Sequence, residues 1–401
     1  MCGIVGFASK DPRANGAWLS MLADALHHRG PDDSGTWWLD NGQVGLAHRR
    51  LAILDLSPLG HQPMHLLERG LSIVFNGEIY NYVELRRELE TLDYIFRSQT
   101  DTEVLLAAYA QWGIGCVPRL NGMFAFAIYD APRQELFLAR DRAGEKPLFY
   151  RLEGGTLYFA SELKALFAHP DLPKQIDPEA LDCYLAMGFV PGDRCILAGY
   201  HKVPPAHALR FDLRSGAATV WRYWHLPKLS ASADAFDETE LLDELEFLLR
   251  DAVGRQLVAD VPVGILLSGG VDSSLVTAMA ARSTGKVRTF TIGFPGHGRL
   301  DETPHARLIS RHFGTDHVEL MAEPNTVELL PTLARQFDEP MADPSMIPTF
   351  MVSRLVRQHC TVALGGDGGD ELFGGYIHYS RLLWMQKWFA HVPAWLRHGV
   401  A

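Results

Sequence analysis

The chain has 401 residues, of which 47% are hydrophobic and 21% charged, with a formal net charge of −11. That length exceeds one ordinary core and makes two domains the expectation, within a composition that is globular. The acidic balance excludes a general nucleic-acid surface, and no apolar run reaches the ~18 residues of a membrane span.

In chain order, Met1-Cys2-Gly3 comes first, followed by helical periodicity at Trp18 to Leu26. Short strands are predicted at Gly45–His48 and Leu71–Phe75, then helices at Tyr82–Leu89 and Thr102–Trp112. Further strands fall at Phe124–Tyr129, Leu136–Ala139 and Thr156–Ala160. Strands grouped this way predict two layered sheets flanked by helices, ending near residue 212. Residues 213–237 read as a linker, whose part Leu226–Asp237 is rich in Ser, Ala, Pro and Asp. From 238 to 401 the pattern becomes α/β. A helix over Glu238–Val258 leads to a strand at Val263–Leu267 and a Gly/Ser loop. A helix at Ser274–Arg282, strands at Val287–Phe294 and Thr361–Leu364, and a tail helix around Trp384–Phe389 follow.

Cysteines at 2, 116, 183, 195 and 360 are odd in number and scattered, with no C-x-x-C and no H-E-x-x-H. This fits a reducing cytoplasm and gives no disulfide framework or zinc site. The first residues lack the basic and apolar regions of a secretory signal, so a cytoplasmic protein is expected.

Cys2 would become the N-terminal residue on removal of Met1. It would then carry a thiol nucleophile beside a free α-amine, whose unperturbed pKa near ~8 lets it act as the base. His28-Arg29-Gly30-Pro31-Asp32 is a polar turn that reads equally as a Gly-Pro bend or as part of a site. Asn76-Gly77 after a buried strand reads first as a hairpin turn. The same pair can supply a side-chain amide and a backbone N–H as an oxyanion hole. Asp101 reads as a helix cap or first-turn acid, and alternatively as an anchor for a substrate ammonium.

The segments MCGIVG, HRGPD, LAHRRLAILD, FNGEIYN, TDTE, NGMFAFAIYD and RDRAGEKPLFY stand in one order across this half of the chain. Together they resemble the glutaminase domain of class II, N-terminal-nucleophile glutamine amidotransferases, and the asparagine synthetase family in particular. The resemblance implies an N-terminal nucleophile hydrolase α/β/β/α sandwich. In it Cys2 is the nucleophile, Asn76 and Gly77 form the oxyanion hole, and Glu78 lies in the glutamine pocket. Arg50, which directly precedes Leu51-Ala52-Ile53, pairs with the glutamine carboxylate, and Asp101 with its ammonium; a bidentate guanidinium suits that carboxylate better than lysine.

Ser268-Gly269-Gly270-Val271-Asp272-Ser273-Ser274 follows a predicted strand and opens a helix. Small residues let N–H groups reach a phosphate there. It is neither a Walker A loop nor a dinucleotide fingerprint. Ser-Gly-Gly-x-Asp-Ser resembles the pyrophosphate loop of ATP pyrophosphatases, which transfer AMP to a substrate oxygen. This implies an α/β ATP-pyrophosphatase-like (adenine nucleotide alpha hydrolase) domain that binds ATP through Leu266, Ser268, Gly269, Gly270, Asp272, Ser273 and Ile292. Gly365 and Gly366, from the run Gly365 to Tyr376, complete the nucleotide site. The resemblance places Mg²⁺ between Asp272 and Asp370, and an acid/base at Asp367, where the family usually has Glu.

The implied activity is amidation of L-aspartate by L-glutamine and ATP, yielding L-asparagine, L-glutamate, AMP and diphosphate. Ammonia would pass through a dry passage between the domains. A sugar carboxylate is the alternative acceptor, because Asp338 to Asp343 and the form GGDGGDELFGGY resemble the polysaccharide-cluster branch. Readings of other classes are a stand-alone glutaminase and a non-catalytic assembly protein; intact Cys2, Asp272 and Asp370 speak against both. Expected partners are small molecules, with no nucleic acid and no membrane, and a homodimer as the candidate assembly. The family's second domain continues well beyond the GGY segment. A C-terminally truncated synthetase domain is therefore expected, its tail a core helix lacking its neighbours.

Overall fold

The computed structural model describes residues 1–11, 17–228, 237–293, 301–322, 327–389 and 391–392. The described residues divide between two units. The first comprises 1–235, 258–261 and 325–350, and the second 236–257, 262–324 and 351–401.

In the first unit the strands are β1 (Gly3–Ser9), β2 (Asp33–Trp38), β3 (Val44–Arg50), β4 (Met64–Leu66), β5 (Leu71–Ile79) and β6 (Gly122–Asp130). They continue with β7 (Glu135–Arg140), β8 (Phe149–Glu153), β9 (Thr156–Ala160), β10 (Tyr200–Lys202), β11 (His207–Asp212) and β12 (Ala217–Arg222). Two six-stranded antiparallel sheets result, ordered β10-β8-β9-β1-β3-β2 and β12-β11-β7-β6-β5-β4. All of β1 is buried, because successive side chains serve different layers. Ile4 and Ala8 meet Val74, Ala125, Leu136 and Leu209 of the other sheet in the central layer. Val5 and Phe7 face outward and pack with Leu19, Leu22, Leu163, Leu166 and Ala180. Those residues belong to or adjoin α1 (Ala17–Asp24), α4 (Leu163–Phe167) and α5 (Pro178–Met187). On the outer face of the second sheet, Ile73, Phe75 and Phe126 pack on α2 (Tyr82–Glu90) and α3 (Asp101–Trp112). The layers are therefore α/β/β/α, as the resemblance implied.

Three boundaries differ from the sequence reading. β5 does not stop at Phe75; it runs to Ile79, with Asn76 opposite Ala125 and Gly77 opposite Phe124. Asn76-Gly77 therefore lies inside a strand, not in a hairpin turn. The first unit also passes residue 212, because β12 adds an edge strand on β11 within the expected linker. Of that linker, 229–236 lie outside the described residues, as does Phe294 of a predicted strand. Finally, 325–350 join the first unit instead of the second. Asp338 binds Lys164 and Glu339 binds Lys202 at 2.6 Å, while Glu339 also accepts from the Ile196 N–H.

The second unit has a parallel sheet ordered β15-β14-β13-β16. Its strands are β13 (Val263–Leu266), β14 (Arg288–Gly293), β15 (Asp316–Met321) and β16 (Val362–Leu364), flanked by α6 (Glu238–Gln256), α7 (Val271–Thr284) and α8 (Thr303–Phe313). The chain leaves β13 toward β14 on one side, and β16 lies on the other. The crevice beyond the carboxyl ends of β13 and β16 is thus a topological switch point, where ligands bind in open α/β sheets. The tail forms a helix over Ile377–Phe389, with Leu383, Trp384 and Trp388 exposed. Among the described residues no helix is long and apolar enough to cross a membrane.

Candidate functional site

Cys2 sits at the head of β1 and shares the parity that turns Ile4 into the central layer. Its Sγ lies 3.4 Å from the Leu51 N–H and 3.6 Å from the Leu51 carbonyl, just past β3. Its own carbonyl accepts from Arg29 Nε at 2.7 Å. Arg29 and His28 both hold Glu162, so the HRGPD turn acts as a brace for the first residues. Burial pushes the Cys2 thiol above its usual range, partly offset by the hydrogen bond to Leu51. A thiol held protonated this way needs a local base before it can attack.

Asn76 shares the inward parity of Val74 and is 1% exposed. Neither atom of its amide has a hydrogen-bond partner. Buried amides are nearly always paired, so this one keeps both its donor and its acceptor available. Gly77 offers the second donor through sheet geometry. The N–H and C=O of Phe124, opposite it, both bond Asp141. That makes Gly77 and Phe124 a non-hydrogen-bonded pair and turns the Gly77 N–H away from β6. Its neighbours of the same parity confirm the direction: the Phe75 N–H reaches Gln62 Oε1 at 2.7 Å and the Ile79 N–H reaches Asp101 Oδ2 at 2.9 Å. Gly77 has no room for a side chain, since a Cβ would lie 2.8 Å from the Phe124 Cα.

Cys2, Arg50, Gly77, Glu78 and Asp101 line one small cavity of about 30 Å³, with Gln62, Thr100 and Thr102. Asp101 is not the cap of α3 but its first residue; Thr100 caps it by accepting from the Glu103 N–H. Arg50 donates to the carbonyls of Leu54, Asp55 and Ser57, so it also shapes the loop that closes the pocket. The Asp55 N–H and Ile53 carbonyl of that loop bond Asp260. Burial pushes Asp101 up to about 6, against the Ile79 N–H, which favours its ionised form. Burial and the neighbouring Asp101 also raise Glu78 well above the usual carboxylate range. Gln62 was not foreseen. A lone glutamine in a loop carries no motif, yet it bridges Phe75 and Thr102 beneath the pocket.

In the second unit a cavity of about 440 Å³ opens at the switch point. Leu266, Ser268, Gly270, Asp272, Ser273 and Ile292 line it from the β13 and β14 sides. Gly365, Gly366, Asp367 and Asp370 line it from the β16 side. Gly269 does not line the cavity; its positive φ of 85° makes the turn, and a Cβ would lie 2.5 Å from that of His305. Ser268 and Ser273 bond each other at 2.9 Å, and Gly270 caps α7, whose N-terminal N–H groups favour an anion. The two loops interlock through glycine. A Cβ on Gly366 would lie 2.8 Å from the Ser273 nitrogen, and one on Gly369 2.5 Å from the Asp272 carboxyl carbon. Glu302, Glu371 and Tyr376 also face this cavity, with the Tyr376 hydroxyl donating to Glu371 at 2.8 Å.

Among the described residues no cluster of three or more His, Cys, Asp or Glu side chains is arranged to hold a metal ion. Asp272 and Asp370 nevertheless face one cavity as hard oxygen donors. Two carboxylates plus substrate phosphates are the donor set that Mg²⁺ accepts.

Residues 1–224 match a family model described as a glutamine amidotransferase domain, and 244–400 one described as asparagine synthase. The chain is 39% identical over 400 residues to a protein of Methanocaldococcus jannaschii named as a candidate glutamine-hydrolysing asparagine synthetase; the match covers 94% of this chain and 76% of that one. It is 38% identical to asparagine synthetase (glutamine-hydrolysing) 1 of Bacillus subtilis, over 99% of this chain and 62% of the relative. It is 37% identical to asparagine synthetase 3 of the same organism, over 94% and 63%. The chain thus spans less than two thirds of the length of the two Bacillus relatives.

Proposed function

The chain belongs to the glutamine-hydrolysing asparagine synthetase family, and from that premise we propose that it takes ammonia from glutamine and uses ATP to amidate a carboxylate. In the first half-reaction the Cys2 thiolate attacks the glutamine side-chain amide carbon. The α-amine of Cys2, freed by removal of Met1, takes the thiol proton and returns it to the leaving ammonia. Water then cleaves the thioester to glutamate. Asn76 and the Gly77 N–H receive the oxyanion, while Arg50 and Asp101 hold the amino-acid end of glutamine. The observation that carries this reading is the buried, unpartnered amide of Asn76, whose strand neighbours Phe75 and Gly77 line the cavity that Cys2 also lines, although Asn76 itself does not line it.

In the second half-reaction a carboxylate oxygen attacks the α-phosphorus of ATP, pyrophosphate leaves, and ammonia displaces AMP from the acyl-adenylate. The loop from Ser268 to Ser273 would cradle the leaving phosphates, and Ile292 and Leu266 the base. Asp272 and Asp370 would hold Mg²⁺, which when bound neutralises phosphate charge and polarises the leaving group. Asp367 lines the same cavity and is the candidate acid/base near the acceptor. L-aspartate is the proposed acceptor, in keeping with the family. Cytoplasmic location and a homodimer remain part of this proposal.

Cys2→Ala tests the first half directly. It should abolish glutamate release and labelling by a glutamine-analogue electrophile. Retention of either activity would remove Cys2 from the mechanism, and a retained Met1 in the intact mass of active enzyme would remove the α-amine.

A further inference from the structure

His48 takes no part in the scheme above, yet it ties together the two sheets that carry the parts of the glutaminase site. It lies on β3, opposite Ile4 of β1 and two residues before Arg50, in the sheet that contains β1. It is 1% exposed, and its Nε2 meets the Phe75 carbonyl of β5, in the other sheet, at 3.0 Å. Burial lowers the imidazole pKa to about 3, so the ring is neutral near pH 7. A carbonyl only accepts, so the neutral ring carries its hydrogen on Nε2 and donates it, while Nδ1 has no partner. The bond falls where β5 has lost its neighbour. β4 pairs with β5 only from Leu71 to Ile73, so beyond Ile73 the groups turned away from β6 need other partners. Three side chains supply them. Gln62 Oε1 takes the Phe75 N–H at 2.7 Å, His48 holds the Phe75 carbonyl, and Asp101 Oδ2 takes the Ile79 N–H at 2.9 Å. Gly77 stands between these clamped residues, its N–H turned to the same side.

We propose that His48 is a positioning residue for the oxyanion hole, fixing the Phe75–Asn76 peptide so that the Asn76 amide and the Gly77 N–H keep their place relative to Cys2. This rests on the reading of Cys2 as the nucleophile and of Asn76 and Gly77 as the oxyanion donors. The Phe75 carbonyl and the Asn76 N–H belong to one planar unit, so holding the carbonyl sets the direction in which the Asn76 side chain leaves the strand. Donors stabilise a developing oxyanion only when they are placed in advance. Here the nucleophile heads a strand of one sheet, and both donors come from the other. The central layer brings Ile4 and Leu46 against Val74 and Ala125 through apolar contacts, which have no direction. His48 adds a directional bond across that layer, from the strand that pairs with β1. A misplacement of about 1 Å between attacking atom and donors costs about 10²-fold in rate.

The test is steady-state glutamate release, with Tm measured on the same preparations. His48→Leu fills the site without a donor. Its kcat should fall about 10- to 10²-fold while KM for glutamine stays within about twofold, because Arg50 and Asp101 still hold the substrate. His48→Gln places an amide N–H where the imidazole Nε2 stands and should restore most of kcat. His48→Asn reaches only the Nδ1 position and should not. In the Asn76→Ala background His48→Leu should cost less than about threefold, because most of what it positions is already gone. A purely structural role would instead lower Tm, add in full to Asn76→Ala and leave the Gln and Asn variants alike. Wild-type kcat in His48→Leu, a rise in KM alone, or equal losses in the Gln and Asn variants overturns the proposal. Should His48→Leu not fold, the comparison of Gln with Asn decides it. Asn76→Ala with wild-type kcat overturns the oxyanion reading and this role with it, whereas a slowed Asn76→Ala beside an unaffected His48→Leu overturns this role alone.

Discussion

Replacing Asn76 by alanine separates a catalytic amide from a structural one. Most buried asparagines carry hydrogen bonds worth ~1 kcal/mol each, so truncation destabilises. Asn76 carries none: both amide atoms are unpartnered at 1% exposure. Removing it also removes the standing cost of a buried unsatisfied group, ~1–3 kcal/mol, which offsets the small cavity left behind. Stability should therefore change by less than about 1 kcal/mol, or a Tm shift of ~2–4 °C. Catalysis should respond quite differently. Loss of one oxyanion donor costs ~3 kcal/mol, or about 10²–10³ in kcat. The assay is steady-state glutamate release with calorimetry on the same preparations. A variant with wild-type kcat and a Tm lowered by ~10 °C would refute the assignment and make Asn76 a packing residue.

Asp101 gives a pH prediction. Burial lifts it from an ordinary 3.8 to about 6, so between those values the folded chain binds the extra proton. Its contribution to stability is greatest below about 4 and is lost as pH rises through about 6. Binding runs the other way, because the substrate ammonium needs the carboxylate: KM for glutamine should rise as pH falls below about 6. Asp101→Asn should raise Tm at pH 7.5, weaken glutamine binding and flatten that pH dependence; a Tm that falls would contradict the burial argument. In the second unit, Asp272→Asn should eliminate acceptor-dependent pyrophosphate release even with ammonium salts, while leaving basal glutaminase largely intact. Glutamate and pyrophosphate measured side by side decide it, and collapse of both would show that the sites are not separable.

Periodicity located about half of the strands and helices, those whose burial is regular. β6 and β7 alternate between two apolar layers, and Asp101–Trp112 buries most of a helix, whereas β1, equally buried, was not among the expected strands. What it missed depends on distant partners. Asn-Gly is a turn signal, but here Asn76 and Gly77 continue a strand because Ala125 and Phe124 pair with them. The fate of 325–350 was illegible for the same reason: Asp338 and Glu339 are decided by Lys164 and Lys202, over a hundred residues away. The loops at 268–273 and 365–370 were legible as motifs, since glycine is required where one loop meets the other.

The most direct test of the whole account follows nitrogen. Full-length protein is given ATP, L-aspartate and glutamine labelled with ¹⁵N in its side-chain amide, and asparagine, AMP and glutamate are quantified together. The account predicts ¹⁵N in the asparagine side-chain amide, with one AMP formed for each asparagine. Glutamate release with no AMP formed, on aspartate or on any other carboxylate offered, would contradict it.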